Sequence, residues 1–372
     1  MHVLRLTRTY PNSKFKNVGL QAYMFGKYSK NSSTFFFKKN KHKSIKNRSD
    51  TKIHEVVLKE RSLSDNYNLN LNFIFVLLNK MINNLNLFFK ILKKINLKEI
   101  SYIHVHNINF LLTAFLLNLF FKKKIVLSIG GSDIYNLKKK ILFKILISKV
   151  SLVISVSKDL KNKFKRIYPK TNCKVIGNGV DLNYYKFRKL KKNKIILAVG
   201  NIRWQKDYLT LIKSFKLFIK KNPSYRLFIC GGILEKNEYE KISMYIKENS
   251  LSKKIILKGY LSSNQIRNLI YKSKLLVISS ISEGLPKVLL EAISCGTPII
   301  TTNVGDNVSI IKDKQLSTPK KNALKMSQAI NSLIKSKKKY NQTVNNFYLK
   351  RNEFSWEKLV LNTEKKIESI VC

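Results

Sequence analysis

Two carboxylates, Glu283 and Glu291, are the residues of this sequence best placed to bind a polar ligand. Glu283 lies in a turn rich in glycine and proline, whereas Glu291 lies within an apolar helix that the sequence predicts over 286–295. A carboxylate on such a helix is costly unless another group hydrogen-bonds it. That group is either Lys287, four residues earlier, in a structural pair, or a bound ligand, and the spacing alone favours neither.

The start of the same helix is a second candidate for ligand binding. Pro286 suits the first helical position, and Leu285 before it has no side-chain oxygen to cap the free N–H groups of the first turn. Gly296 suits the residue just past the helix end. The uncapped N–H groups point at water or at an anion, and a phosphate would suit them.

Basic residues follow the first predicted strand in the second half of the chain. That loop has the sequence Gly200-Asn201-Ile202-Arg203-Trp204-Gln205-Lys206-Asp207. Arg203 and Lys206 would stand at the carboxyl edge of a sheet, where they could clamp a diphosphate. Two solvated cations are the alternative interpretation in so basic a protein.

Three other groups of polar residues allow weaker interpretations. Gly130-Gly131-Ser132-Asp133 takes the corresponding position in the first half, where Asp133 is either a helix cap or an acceptor for a sugar hydroxyl. A turn in which Asn and Gly take positive φ is predicted at Asn178-Gly179-Val180-Asp181. His104 and His106 lie on one face of a predicted strand, a pattern more typical of core histidines than of ligand contacts.

Short β-rich runs alternate with helical patterns along the whole chain, which predicts an α/β fold with parallel sheets covered on both faces. Strands are predicted at 3–6, 34–37, 54–58, 102–105, 125–129, 152–156, 174–176, 195–199, 225–230, 255–257, 275–279 and 299–302. Helices are predicted at 71–95, 109–121, 138–150, 158–167, 208–220, 235–248, 264–271, 286–295, 323–335 and 356–370.

The 372 residues exceed one typical core and favour two domains. A polar, lysine-rich segment at 184–194 has no apolar period, so we place the boundary there. The prediction is a first domain over 1–183 and a second over 184–355.

The formal net charge of +51 implies attraction to polyanions and to anionic membranes. The lysine runs are distributed along the chain, as the coding bias of an AT-rich genome would produce. We favour this bias as the origin of the high positive charge. Neither a zinc-finger, a helix-turn-helix nor an RNA-binding pattern is present, so no specific nucleic acid is expected.

The four cysteines are scattered without metal-ligand spacing, which favours reduced thiols and no structural metal. Apolar runs are too short or too interrupted to span a membrane, and the N-terminus lacks the apolar segment of a signal peptide. We therefore expect a cytoplasmic protein.

Taken together, the stretch 282–298 that contains Glu283 and Glu291, the loop at 200–207 and the turn at 178–181 resemble glycosyltransferase family 4. The most specific part is Glu283 and Glu291 within Ser-Glu-Gly-Leu-Pro…Leu-Glu-Ala…Gly-Thr-Pro. The resemblance implies the GT-B fold, two Rossmann-like parallel-sheet domains facing across a cleft. It also implies a C-terminal helix, 356–372, that packs back toward the first domain.

The resemblance also assigns roles in binding the donor. Lys206 matches the pyrophosphate lysine, and Arg203 replaces an arginine that usually follows the loop glycine Gly200. Glu283 matches the donor-sugar carboxylate, and Glu291 matches the carboxylate that holds the ribose. The turn whose backbone approaches the sugar and phosphates is matched by Gly284, Leu285 and Pro286.

In the first half the resemblance is weaker. Gly19 retains one glycine of a paired-glycine loop, and Gly130 stands where many members carry a histidine. Gly130, Asp133 and His106 are the predicted residues on the acceptor or sugar side.

The implied reaction moves a sugar, with retention, from a nucleoside diphosphate sugar to a hydroxyl of a glycan or lipid-linked acceptor in cell-envelope synthesis. Glu283, Lys206 and Arg203 are the predicted catalytic residues, and no metal or other cofactor is expected. Basic helices of the first domain, such as 138–150, would dock on the inner face of an anionic membrane. The alternatives are a sugar epimerase or phosphorylase of the same fold, or a non-catalytic polyanion-binding protein.

Overall fold

The computed structural model describes residues 1–11, 20–39, 43–57, 69–130 and 141–371, without the side chains of residues 69–77 and 141. The chain forms two compact units. Unit 1 consists of Met1–Gly177 together with Glu357–Cys372, and unit 2 consists of Asn178–Trp356. The change of unit thus falls a few residues before the predicted boundary at 183/184.

Unit 1 contains a sheet of seven strands, all parallel, within the residues described. Its strands are β1 (His2–Thr7), β2 (Ser32–Lys38), β3 (Thr51–Val56), β4 (Tyr102–Val105), β5 (Lys124–Ile129), β6 (Val150–Ser155) and β7 (Cys173–Val175). Their spatial order is β3-β2-β1-β4-β5-β6-β7. In the central strand, Leu4 lies opposite Thr34 of β2 and Ile103 of β4.

Helices cover both faces of this sheet. The helices between the strands are α1 (Leu20–Tyr28), α2 (Leu69–Lys94), α3 (Leu111–Phe121), α4 (Ile141–Ser148) and α5 (Lys158–Ile167). Helices α2 to α5 share one core with Leu4, whereas Val3 belongs to a core on the opposite face. Because successive strand residues point to opposite faces, β1 is buried on both faces, where Val3, Leu4 and Leu6 are fully buried.

Unit 2 repeats this arrangement with six parallel strands. They are β8 (Asn193–Val199), β9 (Arg226–Cys230), β10 (Ile255–Leu257), β11 (Ser273–Ile278), β12 (Ile299–Thr302) and β13 (Ser317–Thr318). Its helices are α6 (Tyr208–Ile219), α7 (Lys236–Glu248), α8 (Ser263–Lys272), α9 (Lys287–Cys295), α10 (Asn307–Ile311), α11 (Ala323–Lys335) and α12 (Lys337–Lys350). The last helix, α13 (Trp356–Val371), packs Ile367 and Val371 against the unit 1 sheet.

The strand order of unit 2 is β10-β9-β8-β11-β12-β13, so chain order reverses between β8 and β11. Ligands of open parallel sheets bind outside the carboxyl ends of the strands at such a reversal. The loops that follow β8 and β11 meet there, and they contain the two main motifs of the sequence. The predicted α/β class with two Rossmann-like parallel sheets is confirmed.

The turn at 178–181 differs from the prediction. Positive φ occurs at Gly177, at 89°, and at neither Asn178 nor Gly179. A Cβ at Gly179 would lie 2.4 Å from the ring of Trp356. This glycine is therefore required for close packing against an aromatic ring and not for an unusual backbone conformation.

Across the described parts of the chain, none of the helices combines the length and the apolar character needed to cross a bilayer.

Candidate active site

The loop after β8 turns sharply at Gly200, whose φ is 154°. A Cβ at Gly200 would lie 2.8 Å from Cε of Lys206, so the lysine side chain passes directly over this glycine. The hydroxyl of Tyr208 donates to the Gly200 carbonyl at 2.6 Å. A Cβ at Gly231, which follows β9, would meet that same carbonyl oxygen at 2.0 Å. Two glycines thus allow neighbouring strand ends to approach closely.

Lys206 and Glu283 form an ion pair across the two loops, with 2.5 Å between Nζ and Oε1. Both side chains are largely buried, at 13% and 10% exposed. The Ser280 hydroxyl also donates to Oε1 of Glu283, at 2.7 Å. The Ser279 hydroxyl donates to the Lys206 carbonyl at 2.7 Å, which ties the loops together through the backbone. The structure therefore brings together two residues that are 77 positions apart in the sequence.

Arg203 lies in the same loop as Lys206 and is half-buried. Within the described residues its guanidinium has neither a hydrogen-bond partner nor an ion-pair partner. Burial raises the pKa of Tyr208, and the charge of Arg203 opposes that rise. Arg203 is thus a cation held near the ion pair with its donors available.

Helix α9 begins at Lys287, one residue later than predicted, and Pro286 at its N-cap makes no side-chain hydrogen bond. The helix ends as expected at Gly296, which is left-handed with φ of 71°. The backbone before the helix is fixed by Gly305, where a Cβ would lie 2.5 Å from the Glu283 carbonyl oxygen. Leu285 is buried beneath this turn, and Gly284 O accepts from the N–H of Asp306 at 3.3 Å.

Glu291 is half-buried on α9, and burial raises the pKa of its carboxyl. A hydrogen bond with the Tyr185 hydroxyl and the charge of Lys287 both act to lower that pKa. The predicted alternative, a structural pair with Lys287, is not formed: among the described side chains no Lys287–Glu291 ion pair within 4.0 Å exists. The partner is Tyr185, and the sequence contains no signal that would have identified it.

Three further residues that shape the site were not predicted from the sequence. Ser279 and Ser280 follow β11 directly, a position at the carboxyl edge that could have identified them. Two residues separate Gly305 from the end of β12, the parallel strand after β11. A glycine just beyond a strand end was the signal that could have identified it.

The unit 1 residues of the predicted site are only partly described. Gly19 and Asp133 lie outside the described residues, and Gly130 directly follows β5. His106 follows β4, and its ring stacks on His104 with 3.8 Å between centroids. No described residue contacts either ring nitrogen of His106 by a hydrogen bond. Burial and the charge of Arg5 hold its pKa well below the usual range, so the ring is neutral.

His104 is a core histidine, as the pattern suggested. Its Nδ1 lies 3.0 Å from Nη1 of Arg5, and its Nε2 lies 2.8 Å from Oγ of Ser128. Both ring nitrogens therefore have partners inside unit 1. Among the side chains that the structure describes, no group of three His, Cys, Asp or Glu residues is arranged to hold a metal ion.

Two sequence models of related enzymes match this chain. The model described as Glycosyltransferase Family 4 matches residues 51–184, and the model described as Glycosyl transferases group 1 matches residues 182–350. The two matches together run from β3 to the end of α12. The second includes Lys206, Glu283 and Glu291.

The chain is 30% identical over 214 residues to YtcC of Bacillus subtilis (strain 168), a protein named as a glycosyltransferase. That match covers 51% of this chain and 52% of YtcC. The chain is 28% identical over 177 residues to a Campylobacter jejuni enzyme, with 45% of this chain and 46% of that enzyme covered. The enzyme is named N-acetylgalactosamine-N,N'-diacetylbacillosaminyl-diphospho-undecaprenol 4-alpha-N-acetylgalactosaminyltransferase. The chain thus spans about half of the length of these curated relatives.

Among solved structures, Anabaena HepE in complex with UDP has a TM-score of 0.78 to this chain at 15% identity. The superposition covers 99% of this chain and 100% of HepE. HepE in complex with UDP-glucose gives a TM-score of 0.75 at 14% identity, with 99% and 100% covered. At these identities the likeness shows a shared fold.

Proposed function

We propose, since the chain belongs to the group 1 glycosyltransferases, that it transfers a sugar from a nucleoside diphosphate sugar to an acceptor hydroxyl. The observation that carries this proposal is the Lys206–Glu283 ion pair at the reversal point of the unit 2 sheet. A cation beside a carboxylate suits a ligand that carries both phosphates and sugar hydroxyls. HepE, which shares the fold, has been solved with UDP and with UDP-glucose.

Lys206 and Arg203 are assigned to the diphosphate. The guanidinium of Arg203 has its donors available, and a planar guanidinium can form two bonds to a phosphate. Lys206 would exchange its bond to Glu283 for one to a phosphate oxygen. The first N–H groups of α9 have no side-chain cap and would add further donors. With these donors the proposal requires no metal ion or other cofactor.

Glu283 and Glu291 are assigned to hydroxyl groups of the donor. Once Lys206 binds phosphate, Glu283 can accept hydrogen bonds from the sugar, while Ser280 holds its Oε1 in place. Glu291 would accept from both ribose hydroxyls, because an ionised carboxylate has acceptor sites for more than one donor. Gly200 and the backbone of residues 284–286 complete the proposed donor site, and Gly19 stays a prediction from the sequence.

In the proposed reaction the bond between the anomeric carbon and the diphosphate oxygen breaks, and the diphosphate leaves with the electron pair. The acceptor hydroxyl forms the new bond to the anomeric carbon, and its proton passes to the departing phosphate oxygen. The cations of Lys206 and Arg203 stabilise the charge that develops on the diphosphate, which is where most of the rate enhancement arises.

We infer that the acceptor attacks from the face that the diphosphate leaves, so that configuration at the anomeric carbon is retained. The support is the position of Glu283, which is bonded to Lys206 and Ser280 and is assigned to holding the sugar. That assignment leaves no carboxylate of the described site to form a covalent sugar intermediate.

The acceptor is proposed to be a glycan or a lipid-linked glycan used in cell-envelope synthesis, at the inner face of the cytoplasmic membrane. The support is the Campylobacter jejuni relative, whose name specifies a diphospho-undecaprenol acceptor. Gly130, Asp133 and His106 of unit 1 stay the proposed contacts on the acceptor or sugar side.

Donor binding tests this proposal, and calorimetric titration with nucleotide sugars measures it. We expect Lys206→Ala and Glu291→Ala each to weaken binding by about tenfold or more, because each removes a charge-assisted hydrogen bond. The matched controls are Lys236→Ala and Glu240→Ala, which break an exposed ion pair on α7 and should leave affinity unchanged. Unchanged affinity in both site variants would show that the site is assigned wrongly.

Two other functions would give different results. A sugar epimerase would convert a nucleotide sugar without forming an acceptor product, and a phosphorylase would release a sugar 1-phosphate from a glycan with inorganic phosphate. A non-catalytic polyanion-binding protein would bind nucleic acid with sequence preference, whereas charge alone predicts only steeply salt-dependent binding.

A further inference from the structure

Three neighbouring helices of unit 1 expose ten large apolar side chains. On α2 they form one stripe at helical spacing, at Leu78, Met81, Ile82, Leu85 and Phe89, with exposures from 40% to 57%. On α3 and α4 they are Leu119, Phe120, Phe121, Leu142 and Ile145, with exposures from 40% to 64%. We call the exposed surface formed by these ten side chains the apolar face.

The ten side chains belong to one surface because the three helices lie side by side. All three bury their other faces in the same core, through residues that include Leu87, Leu117 and Leu146. Helix α3 packs against both α2 and α4. The rings of Phe88 and Phe120 also approach each other, with 5.9 Å between centroids, which links the α2 stripe to the end of α3.

A buried polar contact fixes the relative position of α2 and α3. Asn84, only 5% exposed, accepts at Oδ1 from the Thr113 hydroxyl at 2.8 Å and from the Thr113 N–H at 3.1 Å. Its amide donates to the carbonyl of Asn109 at 2.9 Å. Rotating either helix to bury the exposed stripe would break these bonds in a dry environment, which is costly. The apolar face is thus a fixed feature of unit 1.

The charged residues on the three helices and on the segment 122–124 are all lysines. The sequences of the three helices and of the segment 122–124 contain no Asp or Glu. Exposed lysines flank the apolar residues at Lys80, Lys90, Lys93, Lys94, Lys122, Lys124, Lys144 and Lys149. Each basic residue close to an anionic lipid surface strengthens binding roughly fivefold. A second copy of this face would instead bring like charges together, which disfavours self-association through it.

We propose that the apolar face lies on an anionic bilayer, with its aromatic and aliphatic side chains in the boundary between headgroups and acyl chains. The flanking lysines then face lipid phosphates, as in other surface-bound amphipathic helices. The inference extends the proposed function, because a lipid-linked acceptor would be reached at a bilayer. Its test requires no sugar transfer, however, so either proposal can fail alone.

Vesicle binding of the full chain provides the test. We expect the protein to co-sediment with phosphatidylglycerol vesicles, and the double variant Phe89→Ser/Phe120→Ser to bind about tenfold more weakly or worse, because two exposed aromatic rings no longer insert. The control is Met244→Ser/Leu324→Ser, which removes apolar side chains of unit 2 that are 62% and 56% exposed. It should bind like the unchanged protein, and all forms should keep the same donor affinity.

Two results would overturn the proposal. If the Phe89→Ser/Phe120→Ser variant binds vesicles like the unchanged protein, and salt abolishes both, the attraction is that of a basic protein for any anionic surface. If light scattering instead finds a dimer that this variant alone loses, the face binds a second copy. If the double variant does not fold, a Phe120→Trp substitution tests the same proposal. The fluorescence of the added tryptophan must be quenched by brominated lipid if the apolar face inserts.

Discussion

Lys206 and Glu283 neutralise each other, and this explains how two largely buried charges are tolerated. The pair also holds the lysine across Gly200 and toward the position proposed for the diphosphate. Arg203, which has no such partner among the described residues, is the cation that a ligand can recruit without displacing anything. Sites built in this way bind anions with little reorganisation.

Glu291 shows a conflict between stability and binding. Burial raises the pKa of its carboxyl above the ordinary value of 4.5, so the folded protein holds a proton that the unfolded chain would release. Between the unfolded and the folded pKa the folded state therefore binds more protons, and stability falls as the pH rises through this window. The ionised form, which destabilises the fold, is the form that a ribose would need.

Glu291→Gln should separate the two effects. Because the variant cannot ionise, we expect its free energy of unfolding to exceed that of the unchanged protein at pH 7, with the difference vanishing toward pH 4. Its affinity for a nucleotide sugar should be lower at pH 7 by about tenfold and insensitive to pH across that window. Denaturant unfolding and calorimetric titration over this pH range measure both quantities. A variant that is less stable at pH 7 would contradict this account.

The proposed donor site depends on loops whose backbones approach one another more closely than residues with a Cβ would allow. Gly200 and Gly231 allow the ends of β8 and β9 to approach closely, and Gly305 packs closely against the backbone of Glu283. The helix that follows Glu283, α9, begins without a side-chain cap on its first N–H groups. The positions of Glu283 and Glu291 therefore depend on the backbone of these loops and of α9.

Gly305→Ala tests this dependence. Gly305 has φ of 55°, and an added Cβ would lie 2.5 Å from Glu283 O and 2.7 Å from Gly284 O. Gly259 is a matched control, because its φ of 63° imposes the same backbone strain while an added Cβ meets nothing within 4 Å. Both alanine variants should lose about 1 kcal/mol of stability from strain. Only Gly305→Ala should also lower donor affinity, and equal affinities in the two variants would show that the loop tolerates the displacement.

Much of this arrangement was predictable from the sequence, since strand and helix patterns have fixed periods and Gly296 marks a helix end. The helix predicted over 286–295 differs from α9 by one residue at its start. Contacts between distant residues were not predictable. Neither Tyr185 beside Glu291 nor Trp356 against Gly179 leaves a local signal, because these contacts depend on the tertiary fold. For that reason the positive φ expected at 178–179 was wrong.

Unit 1 includes helix α13, which returns to its sheet after unit 2. Arg5 in the central strand is fully buried and pairs with Glu364 of α13, with 3.2 Å between Nη2 and Oε1. Glu364 also accepts from the Ser29 hydroxyl and from the N–H of Lys30. One carboxylate therefore joins the C-terminal helix to the N-terminal strand.

Glu364→Ala should strongly destabilise unit 1. Removing one partner of a buried ion pair leaves the other charge uncompensated, and we expect a loss of about 3–5 kcal/mol. Asp50→Ala is the control, because the Arg48–Asp50 pair is 37% and 38% exposed and should contribute at most about 1 kcal/mol. Denaturant unfolding of both variants measures the difference. Similar small losses would mean that α13 is held mainly by its apolar contacts.

The central claim is that this chain transfers a sugar from a nucleoside diphosphate sugar through the Lys206–Glu283 site. The most direct measurement incubates the purified protein with a panel of nucleotide sugars, with and without lipid-linked glycan acceptors, and follows release of the nucleoside diphosphate. We predict acceptor-dependent release from one donor, and a loss of at least about tenfold in the rate with Lys206→Ala but not with Lys236→Ala. Release at the same rate by the Lys206→Ala variant, or turnover of the donor without any acceptor product, would contradict the claim.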